Sequence, residues 1–130
     1  MGYIEDSVRV ARAEYDFAVD GGGVGDIALR GDKIPQGAII TDVLIHVDTV
    51  LTSGGAPTVA LKAESAADLN AADLISGAPW STAGAKRGDL TATTAPVKTT
   101  AERTITATVA VATLTAGKFS ALVTYLVLAA

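Results

Sequence analysis

Hydrophobic and polar side chains alternate with a period of two along most of this chain, and that period limits the fold to half-buried β-strands. One example runs from Ala11 to Val19, "ARAEYDFAV", where every second residue is apolar. Another is "AIITDVLIHVDTVL", where Val43, Ile45 and Val47 share one face. Segments rich in glycine and proline, such as "GDKIPQGA" and "TSGGAP", separate the strands.

The end of the chain predicts a β-hairpin. Two strands, "RTITATVAVATL" and "KFSALVTYLVLAA", are joined by "TAGK", where Gly117 is free to take the positive φ that such turns need. At 130 residues the chain has the length of one domain. We therefore expect an all-β, single-domain β-sandwich or jelly-roll-like fold over residues 11–130, preceded by an N-terminal arm over residues 1–10.

Two segments depart from the period of two. In "SAADLNAADLISGAP", Ser65 is suited to be a helix N-cap, Asp68 follows it at capping-box spacing, and Gly77 and Pro79 would stop the helix. We expect one short helix there. Residues 77–101 show no sustained period and predict one long loop, a feature that in compact domains is usually functional or disordered.

The glycine-rich stretch "DGGGVGDIALR" raises the question of a phosphate-binding loop. Such a loop needs a lysine followed by Ser or Thr at the start of a helix, whereas Gly25 is followed by Asp26 and a strand pattern. We interpret the stretch as a hairpin tip. The tripeptide Arg-Gly-Asp occurs at residues 30–32 and 87–89, and turn chemistry accounts for both copies without receptor recognition.

The composition gives little support for catalysis. The chain has no cysteine and one histidine, His46, which shares a strand face with Asp42 and Asp48. We interpret that face as solvated and expect no enzyme activity, no metal and no cofactor. The net charge of −4 argues against a nucleic-acid partner, and the apolar C-terminal "LVTYLVLAA" is too short to span a bilayer, so no membrane partner is expected.

The loop 77–101 contains the candidate partner-binding residues. Trp80 is the single tryptophan, and a loop tryptophan either fills its own core, which is the more common outcome, or anchors a partner. The loop is basic while the rest of the chain is acidic, which favours contact with an acidic partner surface. The candidate contacts are Trp80, Lys86 and Arg87, together with Arg9 and Arg12 near the N-terminus.

The last strand predicts self-association. One of its faces is apolar throughout, and the other contains Leu122, Leu126 and Leu128. Because a solvated antiparallel sheet is polar on one side, a second apolar face needs a cover, either a helix, a further subunit or a larger scaffold. We expect a homo-oligomer that uses these three leucines.

As a whole the chain resembles capsid decoration, or cement, proteins of tailed bacteriophages. The resemblance rests on "DGGGVGDIALRGDKIPQGAIITDVLIHVDTVLTSGGAPTVAL", "SAADL", "PWSTAG" and "RTITATVAVATLTAGKFSALVTYL". It implies a β-rich, often trimeric protein on the outer surface of the virion head that binds the major capsid protein and stabilises contacts between its subunits. Such proteins commonly hold the shell through a terminal arm and loops.

Two other functions stay open at this point. One is a carbohydrate- or receptor-binding β-sandwich module, in which Trp80 would stack on a sugar ring. The other is a tail or connector subunit of the same virion.

Overall fold

A computed structural model describes residues 7–91 and 94–128 of the chain. Strands account for most of these residues, and the fold is all-β as the alternating sequence predicts. The elements in chain order are β1 Ser7–Asp16, α1 Phe17–Asp20, β2 Gly25–Ile34, β3 Ile39–Thr52, β4 Thr58–Lys62, β5 Asn70–Leu74, β6 Gly84–Arg87, β7 Arg103–Ala110 and β8 Ala116–Val127.

The eight strands form one curled antiparallel sheet in the order β5-β4-β7-β2-β1-β8-β3-β6. Strand β2 joins its two halves. It pairs with β7 at both of its ends but with β1 only at Gly31 and Arg30, opposite Ala13 and Glu14. Because the sheet curls there, β5-β4-β7-β2 and β1-β8-β3-β6 enclose one core, which agrees with the expected sandwich or jelly-roll-like class.

The core is filled by the alternating residues that the sequence marks as apolar. Val43, Ile45 and Val47 of β3 are buried, and so are Tyr15 of β1 and Phe119 of β8. Val59, Leu61, Ile105, Ala107 and Val109 contribute from the other half. The burial of β-branched side chains on a pleated surface explains why this sequence forms strands.

The helix expected after Ser65 is absent, and residues 70–74 form strand β5 instead. Asp68 explains the difference. Its carboxylate accepts the backbone N–H groups of Ala63, Glu64 and Ser65 at 2.7, 2.9 and 2.8 Å. The capping interaction therefore forms, but it closes a turn and returns the chain to pair with β4.

The one helix in the described residues is α1, which lies where the sequence predicts the end of the first strand. Asp16 acts as its N-cap and accepts the N–H of Ala18 at 3.0 Å. The strand therefore ends at Asp16, and the apolar residues Phe17 and Val19 do not continue its alternation.

The prediction that the last two strands form a hairpin is also wrong. Strand β7 pairs with β2 and β4, whereas β8 pairs with β1 and β3, so residues 111–115 cross from one half of the sheet to the other. Gly117 lies inside β8 and not in a turn. A Cβ at Gly117 would collide with Leu51, so the glycine allows a close approach between strands.

The predicted boundaries of the arm and the loop also change. Strand β1 begins at Ser7, inside the range predicted as an arm, and residues 1–6 lie outside the described residues. The segment 77–101 contains β6, which pairs with β3, and Lys98, which forms an isolated bridge with Ile39. Alternation fails here because the pairing segments are short.

Candidate interaction face

The side chains of β1, β8, β3 and β6 that point away from the core form one surface, named here the outer face. Cross-strand pairs place its residues in rows, since directly paired residues of an antiparallel sheet point to the same side. One row contains Arg12, Leu122, Leu44 and Arg87 in that order. The structure thus brings together two predicted partner-binding arginines and one predicted interface leucine.

Leu44 was not identified from the sequence as a candidate interface residue. In the sequence it stands between Asp42 and His46 on the polar side of β3, where one apolar residue carries no signal. In the sheet it lies beside Leu122 and keeps 38% of its surface exposed. The pairing of two distant strands therefore creates an apolar contact that neither strand predicts alone.

The outer face becomes more apolar towards the start of β1. Val8 pairs with Leu126, which pairs in turn with Ile39. Val8 and Val10 are 72% and 52% exposed. Leu122 and Leu126 are partly buried, and Leu128 is exposed. Contiguous exposed apolar side chains of this kind are typical of protein-protein contact surfaces.

The charged groups on the outer face are mostly paired with one another. The Arg12 guanidinium contacts Glu14 Oε1 at 3.1 Å and also donates to Ser120 Oγ at 3.1 Å. Arg87 Nη1 lies 3.2 Å from Asp42 Oδ2. These exposed pairs add little stability, but they leave the face close to neutral around its leucines.

His46 also lies on the outer face, with Nδ1 2.9 Å from Asp48 Oδ1. The two residues are two positions apart on β3, so the contact is local. Within residues 7–91 and 94–128, no group of three or more His, Cys, Asp or Glu side chains is arranged to hold a metal ion.

Trp80 does not lie on a partner surface, which corrects the expectation from the loop charge. Its side chain is fully buried, and its Nε1 donates to the Val59 carbonyl at 3.1 Å. Its ring centroid lies 4.8 Å from that of Phe119. Burial of a large ring with a satisfied N–H outweighs the basic character of the loop, and the indole is not accessible for stacking on a sugar.

Lys86 and Arg87 lie on β6, and only Arg87 projects outwards. Lys86 pairs with the inward-facing Ile45, and its ammonium donates to the Thr82 carbonyl of its own turn. Arg87 keeps 79% of its side chain exposed. Of the basic residues predicted in this loop, Arg87 is the one whose side chain projects from the outer face.

The first Arg-Gly-Asp tripeptide lies inside β2 and its charged groups are engaged within the chain. Arg30 Nε contacts Asp20 Oδ1 at 3.0 Å, and Asp32 Oδ2 accepts the backbone N–H of Arg12 at 3.0 Å. An open depression of about 380 Å³ is lined by Arg12, Glu14, Arg30, Gly31 and Asp32. The tripeptide therefore has an architectural role where β1 and β2 meet.

The second tripeptide is also engaged within the chain. Arg87 is paired with Asp42, and the backbone N–H of Asp89 donates to Asn70 Oδ1 at 2.6 Å. Asp73 lies nearby, and its pKa is raised by burial and by the charge of Asp89. Gly88 has no space for a Cβ beside Val43.

The glycine-rich stretch connects β1 to β2, which are antiparallel neighbours, as the hairpin interpretation requires. Two of its carbonyl groups hold surrounding elements. Gly21 O accepts the Tyr15 hydroxyl at 2.6 Å, and Gly22 O accepts the Leu114 N–H at 2.8 Å. The geometry gives this stretch a structural role.

Among the described residues, no helix has the length and apolar character needed to cross a membrane.

Comparison with known proteins relates the fold to phage capsids. No protein-family model matches the chain, and no curated protein matches it. A chain of the cyanophage Pam1 capsid asymmetric unit is similar, with 21% identity, a TM-score of 0.64, and coverage of 98% of this chain and 89% of that chain. A chain of the acidic stable capsid of Helicobacter pylori bacteriophage KHP30 is similar as well, with 15% identity, a TM-score of 0.62, and coverage of 96% and 94%. At these identities the likeness establishes that this chain shares its fold with chains of two phage capsid structures.

Proposed function

We propose that this chain is a structural protein of a phage virion that decorates the outer surface of the head as a cement protein. The observation that carries the proposal is the likeness, over nearly the whole chain, to chains of two phage capsid structures. The coverage is high in both directions, so those chains have about the same length as this one. The similarity therefore extends over most of the capsid chain in each structure.

The outer face supports a role in static contacts. It combines partly exposed leucines, two exposed valines and ion pairs that are satisfied within the chain. Such a surface suits repeated contacts between subunits, where modest energies are multiplied by symmetry. The proposal assigns no catalysis and no cofactor to the chain.

The proposed partners are the major capsid protein and further copies of this chain, most simply as a homotrimer. Leu122, Leu126 and Leu128 are assigned to contacts between copies. All three are at least partly exposed, Leu122 and Leu126 in the second half of β8 and Leu128 directly after it. Arg9, Arg12 and Arg87 are assigned to the capsid subunit. The surface that contacts the capsid subunit then lies beside the surface that contacts other copies of this chain.

The test is co-sedimentation of the purified protein with heads assembled without it. We expect saturable binding to assembled heads and weak or no binding to free capsid subunits, because a cement protein bridges neighbouring subunits. Failure to bind the heads would contradict the proposal. Native mass spectrometry separates it from a tail or connector subunit, since a ring of six copies favours the latter and a trimer favours decoration.

A further inference from the structure

One edge of strand β1 is open. β1 pairs with β8 along its whole length, from Ser7 to Asp16. On its other side it pairs with β2 only at Ala13 and Glu14. Beyond Gly31, strand β2 leaves β1 and pairs with β7 through Lys33 and Ile34. The side of residues 7–11 that faces away from β8, named here the open edge, therefore has no strand beside it in the described part of the chain.

The open edge presents unpaired backbone groups of Val8 and Val10. The N–H of Arg12 points away from β8, because it donates to Asp32 Oδ2 at 3.0 Å. In an antiparallel ladder alternate residues point the same way, so Val8 and Val10 direct their N–H and C=O groups to the same side. Within residues 7–91 and 94–128 these groups have no hydrogen-bond partner on that side.

The side chains at the open edge are uncovered on both faces of the sheet. Alternation of burial holds from Ala11 to Tyr15, whereas Val8, Arg9 and Val10 are all exposed. This stretch lacks the proline, bulge or lysine with which edge strands usually prevent pairing. Strand β3 shows the contrast, because residues 97–99 cover the start of its free edge through the bond from Ile40 N to Val97 O.

We infer that the open edge binds an extended segment of a partner protein, which adds a strand to the sheet beside β1. The five residues of the edge span about 17 Å at roughly 3.4 Å per residue. Main-chain bonds to Val8 and Val10 hold the segment, and contacts with the exposed side chains of Val8, Arg9 and Val10 select its sequence. The inference rests on the proposed function in one respect, since it places the segment in the capsid shell.

Charge defines the chemistry of that segment. Arg9 makes no ion pair with another described residue, and its side chain lies on the opposite face from Val8 and Val10. A complementary strand therefore has an acidic residue on the Arg9 face and apolar residues on the face of the two valines. Opposite charges across a strand pair stabilise it, whereas like charges destabilise it.

The same charge disfavours a second copy as the occupant. If two open edges paired in antiparallel fashion, Val8 and Val10 would face Val8 or Val10 of the other copy. Each of these registers places the two Arg9 side chains directly opposite or diagonal to one another. That arrangement brings two cations together in every register, so a heterologous acidic strand fits the edge better.

The experiment compares Val10→Pro with the matched control Val10→Thr in binding to heads assembled without the protein. Proline removes the outward N–H, which bonds nothing within the described chain, while threonine keeps that N–H and the β-branched shape. We expect Val10→Pro to weaken binding about tenfold or more and Val10→Thr to stay within about threefold of the unchanged protein. Arg9→Glu should weaken binding similarly, whereas Arg9→Lys should retain most of it.

The outcomes separate the two proposals. If the unchanged protein does not bind heads, the proposed function fails. If it binds and Val10→Pro binds equally well, only the open-edge inference is overturned. Hydrogen exchange covers the case in which a variant misfolds: slower exchange of the Val8 and Val10 amides on heads supports the inference, and unchanged exchange overturns it. If exchange of these amides instead slows as the protein concentration rises in the absence of heads, the open edge pairs with a second copy and the inference is overturned.

Discussion

The indole of Trp80 packs against the phenyl ring of Phe119 at a centroid distance of 4.8 Å and donates a hydrogen bond to Val59 O at 3.1 Å. Phe119 belongs to β8 and Val59 to β4, so one side chain joins the two halves of the curled sheet. Phe119 also stacks on Tyr15, with a centroid distance of 5.3 Å. These three rings form the centre of the core.

Replacement of Trp80 therefore tests the fold. We expect Trp80→Ala to lower the free energy of unfolding by about 3–5 kcal/mol, because it leaves a cavity and removes the hydrogen bond to the Val59 carbonyl. Val24→Ala is the control, since Val24 is 59% exposed and should change stability by less than about 0.5 kcal/mol. Urea unfolding measures both. Equal stability of the two variants would contradict the buried position of Trp80.

Gly31→Ala tests the junction of β1 and β2. Gly31 has a φ of +134° and a Cβ there would collide with the Arg12 carbonyl oxygen, so we expect a loss of more than about 2 kcal/mol. Gly23→Ala in the preceding connection has open space around the new methyl group and serves as control. Thermal unfolding distinguishes them. A Gly31→Ala protein as stable as the control would argue against the close contact of these strands.

Asp68→Ala tests the turn that replaces the expected helix. The Asp68 side chain is buried and bonds three consecutive N–H groups, so its removal should cost about 2–3 kcal/mol. Asp68→Asn keeps one acceptor oxygen and should show a smaller loss. Chemical denaturation of both variants provides the measurement. An unchanged midpoint for Asp68→Ala would contradict the role of this carboxylate.

Glu64 makes stability depend on pH in the acid range. The Arg103 guanidinium, at 2.7 Å, and the hydrogen bonds from Thr100 lower the pKa of Glu64 from 4.5 to about 2. Because the folded-state pKa lies below the unfolded one, this contribution is complete above pH 4.5 and is lost as the pH falls towards about 2. Glu64→Gln should therefore flatten the fall in melting temperature across that window.

The control for this measurement is Glu102→Gln, since Glu102 is exposed and lies 3.8 Å from Lys33. Its melting curve against pH should follow that of the unchanged protein. Asp20 and Asp26 also have lowered pKa values, so some acid dependence should persist in Glu64→Gln. Parallel pH profiles for Glu64→Gln and the unchanged protein would refute the assignment.

Tyr15 makes stability depend on pH in the alkaline range as well. Burial, with smaller effects of Asp20 and Asp16, raises the pKa of Tyr15 to about 12 from 10.0. The corresponding stability is complete below pH 10.0 and is lost as the pH rises towards about 12. Spectrophotometric titration of the tyrosines should show one late group that is absent in Tyr15→Phe. Titration of that group near 10 in the folded protein would contradict burial.

The long strands were predictable from local pattern, whereas the short strands β5 and β6 and the pairing of all strands were not. Alternation around Val43, Ile45 and Val47 correctly identifies a core-facing strand, because that pattern depends only on the pleat. The partners of β7 and β8 depend on contacts between distant segments, such as Leu114 N to Gly22 O, and no local turn signal reports them. Gly117 was assigned to a turn because the local sequence does not distinguish a turn glycine from a glycine at a close contact between two strands.

The candidate site was predictable in part for the same reason. Arg12, Leu122 and Arg87 were named from the sequence, but their alignment in one row with Leu44 arises only when four strands pair. Trp80 was assigned outwards from the charge of its loop, whereas its indole is buried in the core, where Nε1 donates to the Val59 carbonyl of a distant strand. The open edge had no sequence signal, since it results from the departure of β2 towards β7.

A cryo-electron microscopy difference map between virions that contain this protein and virions that lack it tests the decoration role. We expect a density of this size on the outside of the head, in contact with neighbouring capsid subunits. A density inside the shell, in the tail or at the connector, or no difference on the head, would contradict the assignment as a decoration protein.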